Sequence, residues 1–455
     1  MKYCFNILSK IGAAMSNIKK EAEVTWVNFN MHNLTKEFKC SFETSDEEIN
    51  QSNHDNQYNK DEVILNRGNF AYENYESLKS LIENNGNKSK DYDENKKPYA
   101  VFDWDNTSII NDTEDSVLAY QLMNLKFKMD PKEFSRVIRI GVPKDNFNEK
   151  FNNKEGNPVN IELIGADIDS DYKFLYDNYE GLNGDKSLDY IKQTLQYKDF
   201  IAKTRYLYDA ISDSFDLDVS YPWVIYLFSG MTVDEVSKLS EESIIYWLKH
   251  EINRTTWTSP LALEGKSGVV SVTFNSGIKP IKEMQNLYKT LMYNGIDVYI
   301  CSASYLYVVR EFASNPKFGY SIPKENVFGM QLEIDKGGLI KPELKINYDQ
   351  TQGEGKTKTI ERFLVKKHGG KSPLIVGGDN HGDVSMLSSF HDTSFSLIIN
   401  RCVDKELFEL SKKAAHSIGN KDARYHLQGR NENTGKFIPS QKSILFGTNE
   451  ERLLR

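Results

Sequence analysis

Asp103 and Asp105 stand two residues apart at the end of the apolar run Tyr99-Ala100-Val101-Phe102, and Thr107 follows two residues later. On an extended chain, residues two apart point to the same side. Both carboxylates can therefore share one pocket at a strand end. Held that close, they repel unless a cation or a shared proton relieves them. The pair calls for a metal, an acid/base role, or both.

Three later segments offer the missing partners. Ser302 closes the apolar run Val298 to Cys301. Lys356, in Gly353-Glu354-Gly355-Lys356, opens a helical pattern. Gly377-Gly378-Asp379-Asn380-His381-Gly382-Asp383 follows the apolar triplet Leu374-Ile375-Val376. Singly these are a helix cap, a solvated lysine and a plain turn. Together and in order they form a phosphoryl-transfer kit. Asp103 is the candidate nucleophile. Asp105 is placed to give a proton to a leaving oxygen and then take one from water. Ser302 and the N–H groups after Asp103 can bind phosphoryl oxygens, and Lys356 can neutralise the charge there. Asp379 with Asp103 offers hard oxygen ligands for Mg²⁺, and Asp383 would orient the metal's ligands.

This combination resembles the haloacid dehalogenase superfamily of aspartate-nucleophile phosphohydrolases. The resemblance implies a Rossmann-like core, an aspartyl-phosphate intermediate and Mg²⁺ as cofactor. It maps Asp103, Asp105 and Lys356 onto catalytic positions, and Thr107, Ser302 and Lys356 onto the phosphate site. It maps Asp103, Asp105 (through its main-chain carbonyl), Asp379 and Asp383 onto the metal site. A carboxylate at 105 favours phosphatase over dehalogenase chemistry. Tyr99 to Thr107, Tyr221-Pro222-Trp223-Val224 with Phe228-Ser229-Gly230, and Asn294 to Tyr299 resemble the phosphorylcholine phosphatase group, within the phosphoserine phosphatase branch.

These residues need a scaffold. From Met284 onward, apolar strands alternate with amphipathic helical spacings, around Leu287 and Leu291, around Val309 and Phe312, and around Ile360 and Leu364. That alternation predicts an α/β fold with a doubly wound, mainly parallel sheet. Residues 113–275 break it. They are rich in Tyr, Asp and Asn, and Thr232 to Glu235 has capping-box spacing. We read 113–275 as a largely helical cap inserted after the first core strand, with 68–112 and 276–455 forming the core. Lys279-Pro280 reads as the first turn of the helix that reopens the core. Residues 1–67, with the polar stretch Glu43 to Glu62, read as a disordered extension.

The bulk numbers exclude little but help. The 455 residues carry a net charge of −8, from 65 acidic and 57 basic side chains. That argues against nucleic acid as a partner. No apolar segment is long enough to span a membrane. Lys10 interrupts the apolar N-terminus, so cytoplasmic placement is favoured over export. Cys4, Cys40, Cys301 and Cys402 make no metal or redox spacing, and Cys301 reads as a small core residue. Oligomeric state is left open.

The expected partner is a small phosphorylated amine or alcohol, phosphorylcholine first. A cationic headgroup wants aromatic faces and a carboxylate. Tyr206, Tyr208 and Trp223 with Asp213 could supply them from the cap, and Asp112 and Glu114 from its hinge. Each has a plain alternative: the aromatics pack the cap core, and the two acids sit at a helix N-terminus. Phosphoserine is the rival substrate. A phosphotransferase and a non-catalytic ligand-binding module are the rival functions.

Overall fold

A computed structural model describes residues 64–403, 406–420 and 422–455. The expectation of disorder over 1–67 therefore lies outside the described residues, apart from its last four positions, as do Cys4 and Cys40. Of those four, Leu65 is buried, and the Asn66 N–H donates to Asn286 Oδ1 at 2.7 Å.

The scaffold is a nine-stranded sheet built outward from Tyr99–Phe102. That strand pairs in parallel with Asp297–Tyr305 on one side and Ile375–Gly378 on the other. Beyond these lie Val327–Met330 on the first side, and Phe395–Asn400 then Tyr425–Asn431 on the second, all parallel. Alternation along the central strand feeds both faces. Ala100 and Phe102 join one core with Leu287, Leu291, Val309 and Phe312. Tyr99 and Val101 join another with Ile360, Leu364, Met386 and Leu410. Such double burial explains why these strands read as continuous apolar runs. The chain leaves the central strand first to one side and later to the other, so the crevice at its carboxyl end is a topological switch point, where open α/β sheets bind ligands.

The insertion departs there. Ile109–Ile110 pairs antiparallel with Lys279–Pro280, so the chain leaves and returns through one short ribbon. Pro280 thus lies in that ribbon, and the helix predicted from it begins at Lys282. Between the ribbon strands lie Thr113–Met123, Ile161–Asn178, Leu195–Ser214, Leu217–Tyr226 and Val233–Leu248, all helical. Their apolar faces build a core around Phe134, Tyr172, Phe200 and Trp223 that Tyr305, Val308 and Met330 of the sheet side also join. The capping box forms as spaced: Thr232 accepts from the Glu235 N–H, and Glu235 accepts from the Thr232 N–H. The insertion also carries a hairpin, Asn253–Thr258 with Ser271–Ser276, which the helical reading missed. Cys301 is buried and free, as its apolar setting indicated.

Candidate active site

The loop after Phe102 is fixed before any functional side chain is considered. The Asp103 N–H donates to Gly377 O at 2.9 Å, continuing the ladder past the strand. Ser108 Oγ donates to Asp103 O at 2.6 Å, and Tyr320 Oη to Ser108 O at 2.5 Å. Asn106 sits at φ 61°, a left-handed turn that asparagine tolerates better than most residues. Across the sheet, a Cβ on Gly378 would come within 2.5 Å of Asp383 Cβ, so only glycine lets that carboxylate fold back onto the strand end.

Four distant segments then meet. Lys356 Nζ donates to Asp103 Oδ1 and to Asp383 Oδ1, each at 2.6 Å. Asp383 Oδ2 accepts from the Asp379 and Asn380 N–H groups at 2.9 and 3.2 Å. Thr107 Oγ1 lies 3.0 Å from Asp379 Oδ1 and 3.3 Å from Asp103 Oδ2. Asp105 turns elsewhere: Oδ1 accepts from the Thr113 N–H and Oδ2 from Ser304 Oγ, both at 2.7 Å. All four aspartates and Lys356 are buried.

That environment sets the protonation. Burial works against the charge of Lys356, but Asp103 and Asp383 outweigh it and hold the amine well above its ordinary range. Burial, reinforced by Asp383, pushes Asp103 up against the pull of Lys356. Burial also raises Asp105, opposed by its hydrogen bonds from Thr113 and Ser304. Both carboxyls are thus pushed up, and Asp105 is the one of the pair held by neutral donors and not by a cation.

The donor set fits a magnesium ion. Asp103, Asp379 and Asp383 bring carboxylate oxygens within 4.8 Å of one another. Hard oxygens at that spacing suit Mg²⁺. Among the described residues, the cations that contact Asp103, Asp379 and Asp383 are Lys356 and Arg401, the latter with Nη1 2.6 Å from Asp379 Oδ2. With Asp105 beside them, the carboxylates leave a surplus of negative charge that a divalent ion would neutralise.

The cleft above this cluster is lined by Asp103, Asp105, Asn106, Asp112, Tyr221, Ser302, Ala303, Ser304, Lys356, Asn380 and Gly382. Ser302 stands within a strand that runs on to Tyr305, not at its end, because the chain continues extended past a register shift after Cys301. Thr107 is fully buried and orients carboxylates; its hydroxyl does not reach the cleft wall. Asp112 both caps the helix Thr113–Met123, accepting from the Asp115 N–H at 2.9 Å, and lines the cleft. Glu114 is buried beside it. Its Oε2 accepts from the Tyr305 N–H at 3.0 Å, and its Oε1 has no hydrogen-bond partner.

The other cap candidates belong elsewhere. Tyr206 is buried and donates to Phe151 O. Trp223 is buried and donates to Ile138 O at 2.8 Å. Asp213 pairs with Lys150 on an outer face. None of the three lines the cleft, because their polar atoms are engaged in tying cap elements together. Tyr208 stacks on Trp223 with centroids 6.0 Å apart and lies under the charge of Arg205, also outside the lining. The aromatic that does face the cleft is Tyr221. It sits in the Tyr221-Pro222-Trp223 segment quoted for the resemblance, and its periodicity gave no reason to prefer it to Trp223. Ser304 and Arg401 were not singled out either.

The comparisons agree with this geometry. No family model matches the chain. The phosphorylcholine phosphatase of Pseudomonas aeruginosa is 26% identical over 259 residues, covering 56% of this chain and 52% of that protein. The chain shows the mainly parallel α/β sheet that the resemblance to the haloacid dehalogenase superfamily implies. It spans about half the length of that curated relative. A solved structure from Anaerococcus prevotii, described as a conserved protein of unknown function, is 36% identical with a TM-score of 0.80. It covers 86% of this chain and 100% of its own. The fold therefore recurs over most of the chain in a second protein.

Proposed function

We propose that the chain is a Mg²⁺-dependent phosphomonoesterase acting on a small phosphorylated amine, with phosphorylcholine the leading substrate. The observation that carries this is the division of labour between the two aspartates. Asp103 is held by Lys356 at 2.6 Å, while Asp105, on hydrogen bonds from the Thr113 N–H and Ser304 Oγ, faces the same cleft.

Asp103 Oδ attacks phosphorus as the bond from phosphorus to the ester oxygen breaks. Asp105 gives its proton to that departing oxygen, and the alcohol leaves. Water then attacks the phosphoryl group while Asp105 takes the proton back. The bond to Asp103 breaks, and inorganic phosphate is released. Lys356 stays protonated throughout and offsets the charge on the phosphoryl oxygens. Asp103, Asp379, Asp383 and the Asp105 carbonyl would hold Mg²⁺, which neutralises phosphoryl charge when bound. Residues 113–275, standing over the cleft, would act as the cap that excludes water and selects the leaving group.

The headgroup reading rests on the cleft wall. Tyr221 offers an aromatic face and Asp112 a carboxylate. Lys356 is the only cation among the described lining residues, and it is committed to Asp103 and Asp383. A phosphoserine carboxylate finds no cation there, which favours an amine without one. Purified protein with Mg²⁺ should release phosphate from phosphorylcholine faster than from phosphoserine. Turnover on neither, with Asp103→Asn matching wild type, refutes the chemistry; phosphoserine ahead of phosphorylcholine refutes only the headgroup.

A further inference from the structure

Asn106 directly follows Asp105 and lines the cleft, and its left-handed turn is gripped from a strand more than three hundred residues away. Arg430, on Tyr425–Asn431, donates from Nη1 to Asn106 O at 3.0 Å and from Nη2 to Asn106 Oδ1 at 3.1 Å. Nη2 also meets Glu432 Oε1 at 3.0 Å. Arg401 bridges from Glu432 (Nε at 3.9 Å) to Asp379 (Nη1 at 2.6 Å). One chain of ions thus runs from the turn that carries Asp103 and Asp105 to the carboxylate of the metal cluster. We propose that Arg430 is a positioning residue: through Asn106 it fixes the backbone N–H groups and the aspartate spacing on which phosphoryl binding and transfer depend.

The placement is costly, which is why it invites a functional account. Arg430 is a buried guanidinium, and burial with Arg401 nearby pulls it down to about 10. Glu432 is the counter-charge that makes it tolerable: burial pushes that carboxyl up, but Arg430 and Arg401 outweigh it and hold it below its ordinary value. A plain structural tie could have been made with one neutral side chain. A planar fork that reaches a backbone carbonyl and a side-chain oxygen of the same residue fixes that residue's orientation, which a lysine cannot do.

The inference rests on the phosphatase reading for its kinetic readout, so a binding readout accompanies it. Arg430→Lys should lower kcat about tenfold with KM for the ester changed less than about threefold. Asn106→Gly keeps the left-handed turn and deletes the Oδ1 acceptor. In that background the Arg430→Lys step should cost only about threefold, because the two changes break one contact. If Arg430→Lys does not fold, Glu432→Gln, which removes the counter-charge on the guanidinium, takes its place in the same cycle. Affinity for inorganic phosphate with Mg²⁺, by calorimetry, should show the same coupling. Equal costs in both backgrounds for kcat and for phosphate, with wild type active, overturn the inference and leave the phosphatase reading standing. Coupled phosphate affinities in a wild type without turnover do the reverse. A wild type that neither turns over nor binds phosphate defeats both.

Discussion

Two buried lysines, one in the core and one in the insertion, each sit among three aspartates. Lys356 bridges Asp103 and Asp383 beside Asp379. Lys203, on Leu195–Ser214, pairs with Asp167 at 3.0 Å and Asp199 at 2.9 Å, with Asp171 beside them. The composition is the same and the construction is opposite. Lys203 has its third donor on Glu264 O at 2.9 Å, and Asp167 accepts from the Lys266 and Ser267 N–H groups and the Ser267 hydroxyl. No residue of that cluster lines the cleft. Its excess negative charge is relieved by a proton: burial, with Asp199 next to it, pushes Asp171 up to about 9. At Lys356 the aspartates come from two strand-end segments brought together by the sheet, Asp103 and Lys356 face the cleft, and the excess charge is left for ligands to relieve. A buried ion cluster becomes chemically useful when its charge is left incompletely balanced and within reach of a cleft, not because charges are present.

The comparison breaks first at turnover. Asp103→Asn should reduce phosphate release about 10⁴-fold or more, and Lys356→Ala about 10³-fold, since both remove groups acting on the reacting phosphoryl group. Lys203→Met should leave kcat per folded molecule near wild type. Loss of turnover in Lys203→Met at unchanged folded fraction would show the two clusters to be coupled. Stability should sort them the other way. Removing one partner of a buried ion network costs about 3–5 kcal/mol, so Lys203→Met should melt well below wild type in a denaturant or thermal scan. A melting point equal to wild type would mean Lys203 does not hold Asp167 and Asp199.

A smaller difference is the response to magnesium. If the 103–379–383 cluster takes the ion, Mg²⁺ at about a hundred times its Kd should stabilise the fold by about 2.7 kcal/mol. The gain should persist in Lys203→Met and vanish in Asp379→Ala. A stabilisation that survives Asp379→Ala would place the ion elsewhere.

Much of the site was legible because its residues sit at strand ends, where apolar runs stop abruptly at charged groups. The pairing of Asp103 with Lys356, 253 positions away, was legible from the set and order of the motifs and not from any local signal. What escaped the sequence had no such signature. Tyr425–Asn431 reads as polar, because Gln428 and Arg430 are buried by hydrogen bonds and not by apolarity, so the strand carrying the grip on Asn106 left no hydrophobic trace. In the cap, periodicity marks which aromatics are buried but not which face a cleft. Tyr221 and Trp223 share one helix, but Trp223 donates to Ile138 O within the cap while Tyr221 lines the cleft.

The finest distinction concerns the proton that balances the insertion's cluster. An aspartate raised to about 9 in the fold, against an ordinary value near 4 when unfolded, binds a proton that the unfolded chain has released. Its contribution to stability is complete below about pH 4 and is lost as pH rises through about 9. Asp171→Asn puts a permanent neutral donor against Asp199, removing that loss while Lys203 keeps Asp199 and Asp167 paired. The variant should therefore gain on wild type as pH rises from 5 to 8, by about 1 kcal/mol or more, read as roughly 2 °C in melting temperature. The same pH series on Asp103→Asn serves as the contrast. If the Asp171→Asn difference is flat across that range, the cluster does not hold a shared proton, and the two lysine sites balance their charge in the same way after all.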